Sequence, residues 1–94
     1  MQSLSIYLIE KDSTTLQLLR MYLKELDYVN IVGEGEDLNS NYSNILKSMP
    51  EVVIANVSDD FEKNYEIIEM IVEKIPSIRI IATALEYSTD IIIR

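Results

Sequence analysis

The 94-residue sequence contains no cysteine and no histidine. Without cysteine, neither a disulfide framework nor a thiolate metal site can form. Without histidine, the commonest general base and metal ligand is missing. Every histidine-dependent catalytic constellation goes with it, the serine triad included. Positive charge is scarce: eight Lys and Arg stand against sixteen Asp and Glu, a formal net charge of −8. That balance argues against nucleic acid, whose phosphates need clustered cations, and against anionic membrane surfaces. The N-terminus lacks a basic segment followed by an apolar core, and no apolar run approaches the ~18 residues of a membrane span. The default expectation is a soluble cytoplasmic protein. There are only two glycines, both in Gly33-Glu34-Gly35. No Lys follows them, so this is not a phosphate loop.

What remains is rich in apolar residues, 48% of the chain. One domain, residues 1–94, accommodates them. The organising stretch is Glu51-Val52-Val53-Ile54-Ala55-Asn56-Val57, entered from Pro50 and closed by Ser58-Asp59-Asp60. A short β-branched run of this kind is a strand buried on both faces, in the middle of a parallel sheet. Its last polar residue, Asn56, falls at the carboxyl end, where open α/β sheets place their function.

The chain then reads in order. Leu4 to Ile9 is a first strand, and Asp12 or Ser13 caps the helix that follows. From about Thr14 to Leu26, Leu16, Leu19, Leu23 and Leu26 form one helical face, widened by Leu18 and Tyr22. Val29 to Val32 is a second strand, and 33–37 a loop. Asn39 to Lys47 is a weak helix stopped by Pro50. After the central strand, Asp59 to Asn64 is an acidic loop or helix start. Tyr65 to Ile75 carries Ile67, Ile68, Ile71, Val72 and Ile75 at helical spacing. Ile78 to Ala82 is a fourth strand, followed by a loop from Thr83. Ser88 or Thr89 caps a last helix that has barely begun at Arg94. Strands alternating with helices imply a parallel sheet covered on both sides. The strand ends then bring Glu10, Lys11, Asn56 and Thr83 to one rim.

Across residues 3–94 the chain resembles the receiver domain of bacterial response regulators. Ser5-Ile6-Tyr7-Leu8-Ile9-Glu10-Lys11-Asp12 looks like the family's first strand with its acidic pair. Val32-Gly33-Glu34-Gly35-Glu36-Asp37 looks like the loop after strand two. Pro50 to Asn56 is similar to the strand that delivers the phosphoacceptor Asp, and Ile80-Ile81-Ala82-Thr83-Ala84 to the strand that ends in the switch hydroxyl. The resemblance implies an α/β, flavodoxin-like (CheY-like) doubly wound parallel sheet of strand order 2-1-3-4, truncated before the fifth strand and fifth helix. The departures from the family are specific. Asn56 stands at the phosphoacceptor position, and an amide cannot form an acyl phosphate. Glu10 matches the first acidic residue, but Lys11 stands where a Mg²⁺-ligating carboxylate is expected, and an ammonium opposes a cation and supplies no ligand. Asp60 replaces the usual Pro. Asn64 stands near the usual Gly, a mild change because Asn tolerates positive φ. Thr83 keeps the hydroxyl, and the family's fifth-strand Lys is absent.

These departures imply a degenerate pseudo-receiver: not an enzyme, with no cofactor and no metal, a signal-transduction or localisation module working through a protein partner or a covalently linked effector. A transcription factor and a ParA/MinD-like ATPase are the effectors such a domain would precede. The pocket is expected to comprise Asn56, Glu10, Lys11 and Thr83, with Ser58, Asp59 and Asp60 in the adjacent loop. Lys11 is expected to form an ion pair with Glu10, Asp12 or Asp59 and so to substitute internally for the metal. Each feature also has a plainer reading. Asn56 can be a strand-end residue bonding loop amides, Thr83 a loop hydroxyl, and Asp59, Asp60 and Glu62 a solvated helix start favoured by the dipole. Two other functions compete: a phosphoacceptor switch using Asp59 or Asp60, and a small flavodoxin-like ligand-binding module. Without a fifth strand, the fourth would be an exposed edge. Either the natural chain continues past Arg94, or the chain forms a dimer or larger species through that edge or the last helix.

Overall fold

Three aspartates set the starts of the three helices. Asp12, Asp37 and Asp60 each sit in non-helical backbone just after a strand end, and each carboxylate accepts the backbone N–H three residues on, from Thr15, Ser40 and Lys63 at 2.9, 2.7 and 3.2 Å. Such caps satisfy amides that the first helical turn leaves orphaned. The computed structural model describes residues 3–84 and, for the backbone, 90–93. The elements are β1 (Leu4–Ile9), α1 (Ser13–Lys24), β2 (Val29–Gly35), α2 (Leu38–Ser48), β3 (Val52–Asn56), α3 (Phe61–Lys74), β4 (Arg79–Thr83) and β5 (Asp90–Ile93). The acidic stretch after β3 is thus mostly helix, since the Asp60 cap draws Phe61 to Asn64 into α3.

The sheet order is β2-β1-β3-β4-β5. The first four strands are parallel, as the βα alternation requires, in the order 2-1-3-4. β3 lies between β1 and β4, with Val52 to Asn56 in register with Arg79 to Thr83. The side chains of Val53, Ala55, Ile80 and Ala82 point to one face and are fully buried beneath α2 and α3, with Ile45, Ile67, Ile68 and Ile71. The other face carries Ile6, Leu8, Val52, Ile54 and Ile81 and receives Leu16, Leu19, Leu23 and Leu26 of α1.

Three features depart from the sequence expectation. First, β2 runs on through both glycines, which the composition had placed in a loop. Neither glycine has positive φ. They are needed for close approach: a Cβ on Gly33 would overlap the Tyr7 ring, and one on Gly35 the Asn41 amide. A register shift between Ile6 and Tyr7 leaves Val32 as the extra residue and turns it toward the α2 side.

Second, Leu18 and Tyr22 are not part of the buried face of α1. They are 60% and 72% exposed. The core stripe is narrower because α1 meets the sheet at its β2 side, where Arg20 reaches Glu34.

Third, residues 90–93 form a strand and not the start of a helix. β5 runs antiparallel to β4, pairing Ile80 with Ile93 and Thr83 with Asp90. β-Branched residues favour extended backbone, and the β4 edge offers unpaired groups. The fourth strand is therefore not the free edge expected for self-association. Ser88 and Thr89, the expected caps of a last helix, lie outside the described residues.

Candidate functional site

Glu10 follows β1 and is 4% exposed. Its backbone N–H donates to the Gly35 carbonyl at 2.9 Å, which fixes it against the end of β2. A buried carboxylate must have its lone pairs satisfied. Here the donors come from two directions. The Asp12 backbone N–H donates to Oε2 at 3.1 Å. The Asn56 side-chain amide donates to Oε1 and Oε2 at 3.2 and 3.3 Å, spanning both oxygens.

The other end of the Asn56 amide is equally occupied. Its Oδ1 accepts from the Ser58 backbone N–H at 2.9 Å and from the Ser58 hydroxyl at 2.6 Å. Asn56 therefore links the end of β1 to the first residues of the β3–α3 loop. This loop is held further by Asn64, 6% exposed, whose amide donates to Asp59 Oδ1 at 2.9 Å and to the Val57 carbonyl at 3.4 Å. Asn64 lies within α3, and the positive-φ non-glycine residue among those described is Met49, the left-handed cap of α2.

The ion-pair partner of Lys11 is Asp59 and neither Glu10 nor Asp12, at 3.5 Å with side chains 64% and 41% exposed. It is a loose contact in solvent. Desolvation pushes the Asp59 carboxyl up, but the Asn64 amide, the Lys11 charge and the backbone N–H groups of 59 and 60 together hold it below the usual carboxylate range. Asp60 is turned away into its capping role.

Glu10, Lys11, Asp12, Glu36, Asn56, Ser58 and Asp59 line a cleft of about 310 Å³ at the carboxyl ends of β1, β2 and β3. Of the residues singled out from sequence, five line it. Thr83 sits one strand over, in register with Asn56, and its carbonyl accepts the Val57 N–H at 2.9 Å. Asp12 and Glu36 are the two lining residues that the sequence reading passed over as site residues, Asp12 having been read as a helix cap. For Glu36, its place just past the end of β2 was the available signal. Among the described residues no three carboxylates converge as a metal site would need. The Mg²⁺ that a receiver pocket implies does not fit this donor set: the Lys11 ammonium stands in the cleft paired with Asp59, and an amide already spans Glu10.

A parallel 2-1-3-4 sheet with crossover helices and a polar rim at the strand ends is the flavodoxin-like arrangement of doubly wound α/β domains, which receiver domains share. No protein-family model matches the chain, and neither does any curated protein sequence. Solved structures do match. The isolated receiver domain of RcsB from Salmonella enterica serovar Typhimurium, with the phosphomimetic BeF3−, superposes at TM-score 0.79 with 24% identity over 93% of this chain and 65% of that one. The RcsB response regulator of Salmonella typhimurium gives TM-score 0.78 with 26% identity, over 92% of this chain and 44% of that one. A crossed S207C form of the same regulator gives 0.74 and 27%, over 87% and 41%. The chain thus has the receiver fold and spans less than two thirds of each RcsB chain. Among the described residues no helix is long and apolar enough to cross a membrane.

Proposed function

We propose that this chain is a phosphorylation-independent pseudo-receiver, a non-enzymatic cytoplasmic signalling module that acts through protein–protein contact. One observation carries the reading. The residue at the phosphoacceptor position, Asn56, has both ends of its amide engaged, with Glu10 on one side and Ser58 on the other. In a phosphorylatable pocket, an acidic pair needs a cation to hold it together. Here the neutral amide gives Glu10 its donors without a metal. The amide also ties the β3–α3 loop in one position, a locked state in place of a switch.

The output would lie in a linked effector or a bound protein. RcsB has been solved bound to promoter DNA, and this chain spans 43% of that RcsB chain. That supports a transcription-factor effector over the ParA/MinD-like ATPase. A mass well above 10.8 kDa for the protein isolated from its own cells is the expected result; a mass equal to it would point to a partner in trans.

The direct test is an amide NMR titration with beryllofluoride and Mg²⁺. No saturable shift is expected at Asn56, Ser58 or Thr83. Saturable shifts there would overturn the reading. They would favour a second one, in which Asp59 accepts the phosphoryl group, since Asp59 lines the cleft and its carboxyl is held ionised. Asp59→Asn separates the two, because it abolishes such shifts only if Asp59 is the acceptor.

A further inference from the structure

Position 64 is where α3 breaks its own pattern. Residues 64, 67, 68, 71 and 75 share one face at helical spacing. The last four are isoleucines packed into the core beneath the sheet. The period calls for an apolar residue at the first as well. Asn64 stands there instead, and at 6% exposed it is as buried as Ile67. A buried amide costs free energy unless its hydrogen bonds are made. The use of Asn64 therefore lies in what it bonds.

Both of its acceptors are in the loop that leaves β3. The Asn64 amide has two protons to give. It donates to Asp59 Oδ1 at 2.9 Å and, in a longer contact, to the Val57 carbonyl at 3.4 Å. Val57 and Asp59 are the chain neighbours of Ser58, so one buried group holds the loop on either side of that residue. Ser58 itself is exposed, and burial does not fix it. Yet its N–H and its hydroxyl both meet Asn56 Oδ1, at 2.9 and 2.6 Å. The rest of the loop is tied in the same sense. The Val57 N–H donates to the Thr83 carbonyl at 2.9 Å, the Asn64 N–H to the Asp60 carbonyl at 3.0 Å, and Asp60 caps α3.

We propose that Asn64 is a positioning residue for the pocket, although it does not line the cleft. By holding Val57 and Asp59 it fixes Ser58. Through Ser58 it keeps the Asn56 amide turned with Nδ2 toward Glu10. This rests on the reading of Asn56 as a locked residue, and it names the group that sets the lock from the core side. It also accounts for an amide on the apolar stripe of α3: position 64 gives up core packing to direct the loop. Neither a carboxylate nor an aliphatic side chain has a donor to do this.

Hydrogen exchange followed by NMR on the full chain tests the proposal. The Ser58 N–H belongs to an exposed residue, so its protection reports the opening of its bond to Asn56. The N–H groups of Ile68 and Ile71, inside α3, report larger openings. Two variants are compared with wild type. Asn64→Leu continues the apolar stripe and removes the donors; Asn64→Ala removes them without added bulk and serves if Leu proves too large to fold. In either, Ser58 exchange is expected to rise at least about tenfold, and by a larger factor than that of Ile68 and Ile71. The side-chain amide resonances of Asn56 should shift with it. Ser58 exchange that is unchanged, or that rises only in proportion to Ile68 and Ile71, overturns the proposal and leaves Asn64 a purely structural residue. The outcome is separable from that of the beryllofluoride titration: a saturable response of the wild type overturns the locked-pocket reading, whereas the exchange comparison decides the role of Asn64.

Discussion

At the residue scale, the pocket is governed by what faces Glu10. A buried carboxylate that loses a donor keeps its desolvation penalty, so Asn56→Ala is expected to destabilise the fold by about 1–3 kcal/mol in chemical denaturation. Asn56→Asp is a different perturbation. It sets a second carboxylate within about 3.3 Å of Glu10, and like charges that close raise the pKa of one partner. A raised folded-state pKa gives stability that is present below the unfolded pKa and lost as pH rises through the folded one. The aspartate variant should therefore be clearly less stable than wild type at neutral pH and approach it in acid, below the ordinary carboxylate pKa. If denaturation at the two pH values gave the same difference, Glu10 would not be the group that faces position 56. Lys11 matters less. Its pair with Asp59 is long and exposed, so Lys11→Ala should cost under about 1 kcal/mol. An NMR titration of the Asp59 carboxyl in that variant should show its pKa moving upward, since one of the charges holding it down is removed.

At the scale of elements, β2 shows how one strand positions two others. Gly33 lets the Tyr7 ring lie flat against the strand, and Gly35 admits the Asn41 amide. The Tyr7 hydroxyl donates to Asn41 Oδ1 at 2.7 Å, and Asn41 in turn donates to the Asp37 carbonyl at 2.7 Å. Burial raises the Tyr7 phenol above its ordinary pKa, so it stays a donor across the neutral range. Gly33→Ala must displace that ring and is expected to cost about 1–3 kcal/mol, as overpacking of a core does, visible as a lower thermal midpoint. On the opposite flank, Arg20 and Glu34 fasten α1 to β2. The Arg20 hydrogen bonds hold the Glu34 carboxyl below its usual range. A depressed folded-state pKa gives stability that is present above the unfolded pKa and lost as pH falls through the folded one. Both side chains remain about a third exposed, 35% and 28%, so Arg20→Met should cost at most about 1 kcal/mol at neutral pH. The difference should vanish in acid, where Glu34 is protonated in either protein.

At the scale of the whole molecule, sixteen acidic side chains against eight basic ones make self-repulsion a general load on the compact state. Screening relieves it over a Debye length of about 10 Å at 0.1 M salt. Raising sodium chloride from low to moderate concentration should therefore increase the thermal midpoint, and a fall would mean that specific ion pairs outweigh the net charge. The charge is also unevenly placed. α3 carries Glu62, Glu66, Glu69 and Glu73, and α1 carries no acid. Any partner that approaches the α3 face meets a negative surface; one that approaches α1 does not.

The sequence by itself determined the class of fold. The alternation of β-branched strands with helical stripes, the capping aspartates and the two prolines act over a few residues each, and such local signals survive without tertiary context. They delivered a parallel sheet and the convergence of Glu10, Lys11 and Asn56 at one rim; the order 2-1-3-4 followed from the resemblance to receiver domains. The tertiary structure decided whatever depended on contacts between distant segments. Gly33 and Gly35 looked like loop residues because glycine signals turns, yet their use is set by Tyr7 and Asn41. Lys11 had two carboxylates beside it along the chain, Glu10 and Asp12, yet the path of the β3–α3 loop gave it Asp59, 48 residues away. Leu18 and Tyr22 fit the helical period of the core, but α1 leans toward β2, and its apolar flank is left facing out. Ile91 to Ile93 had nothing nearby in sequence to pair with, and the open edge of β4 made them a strand.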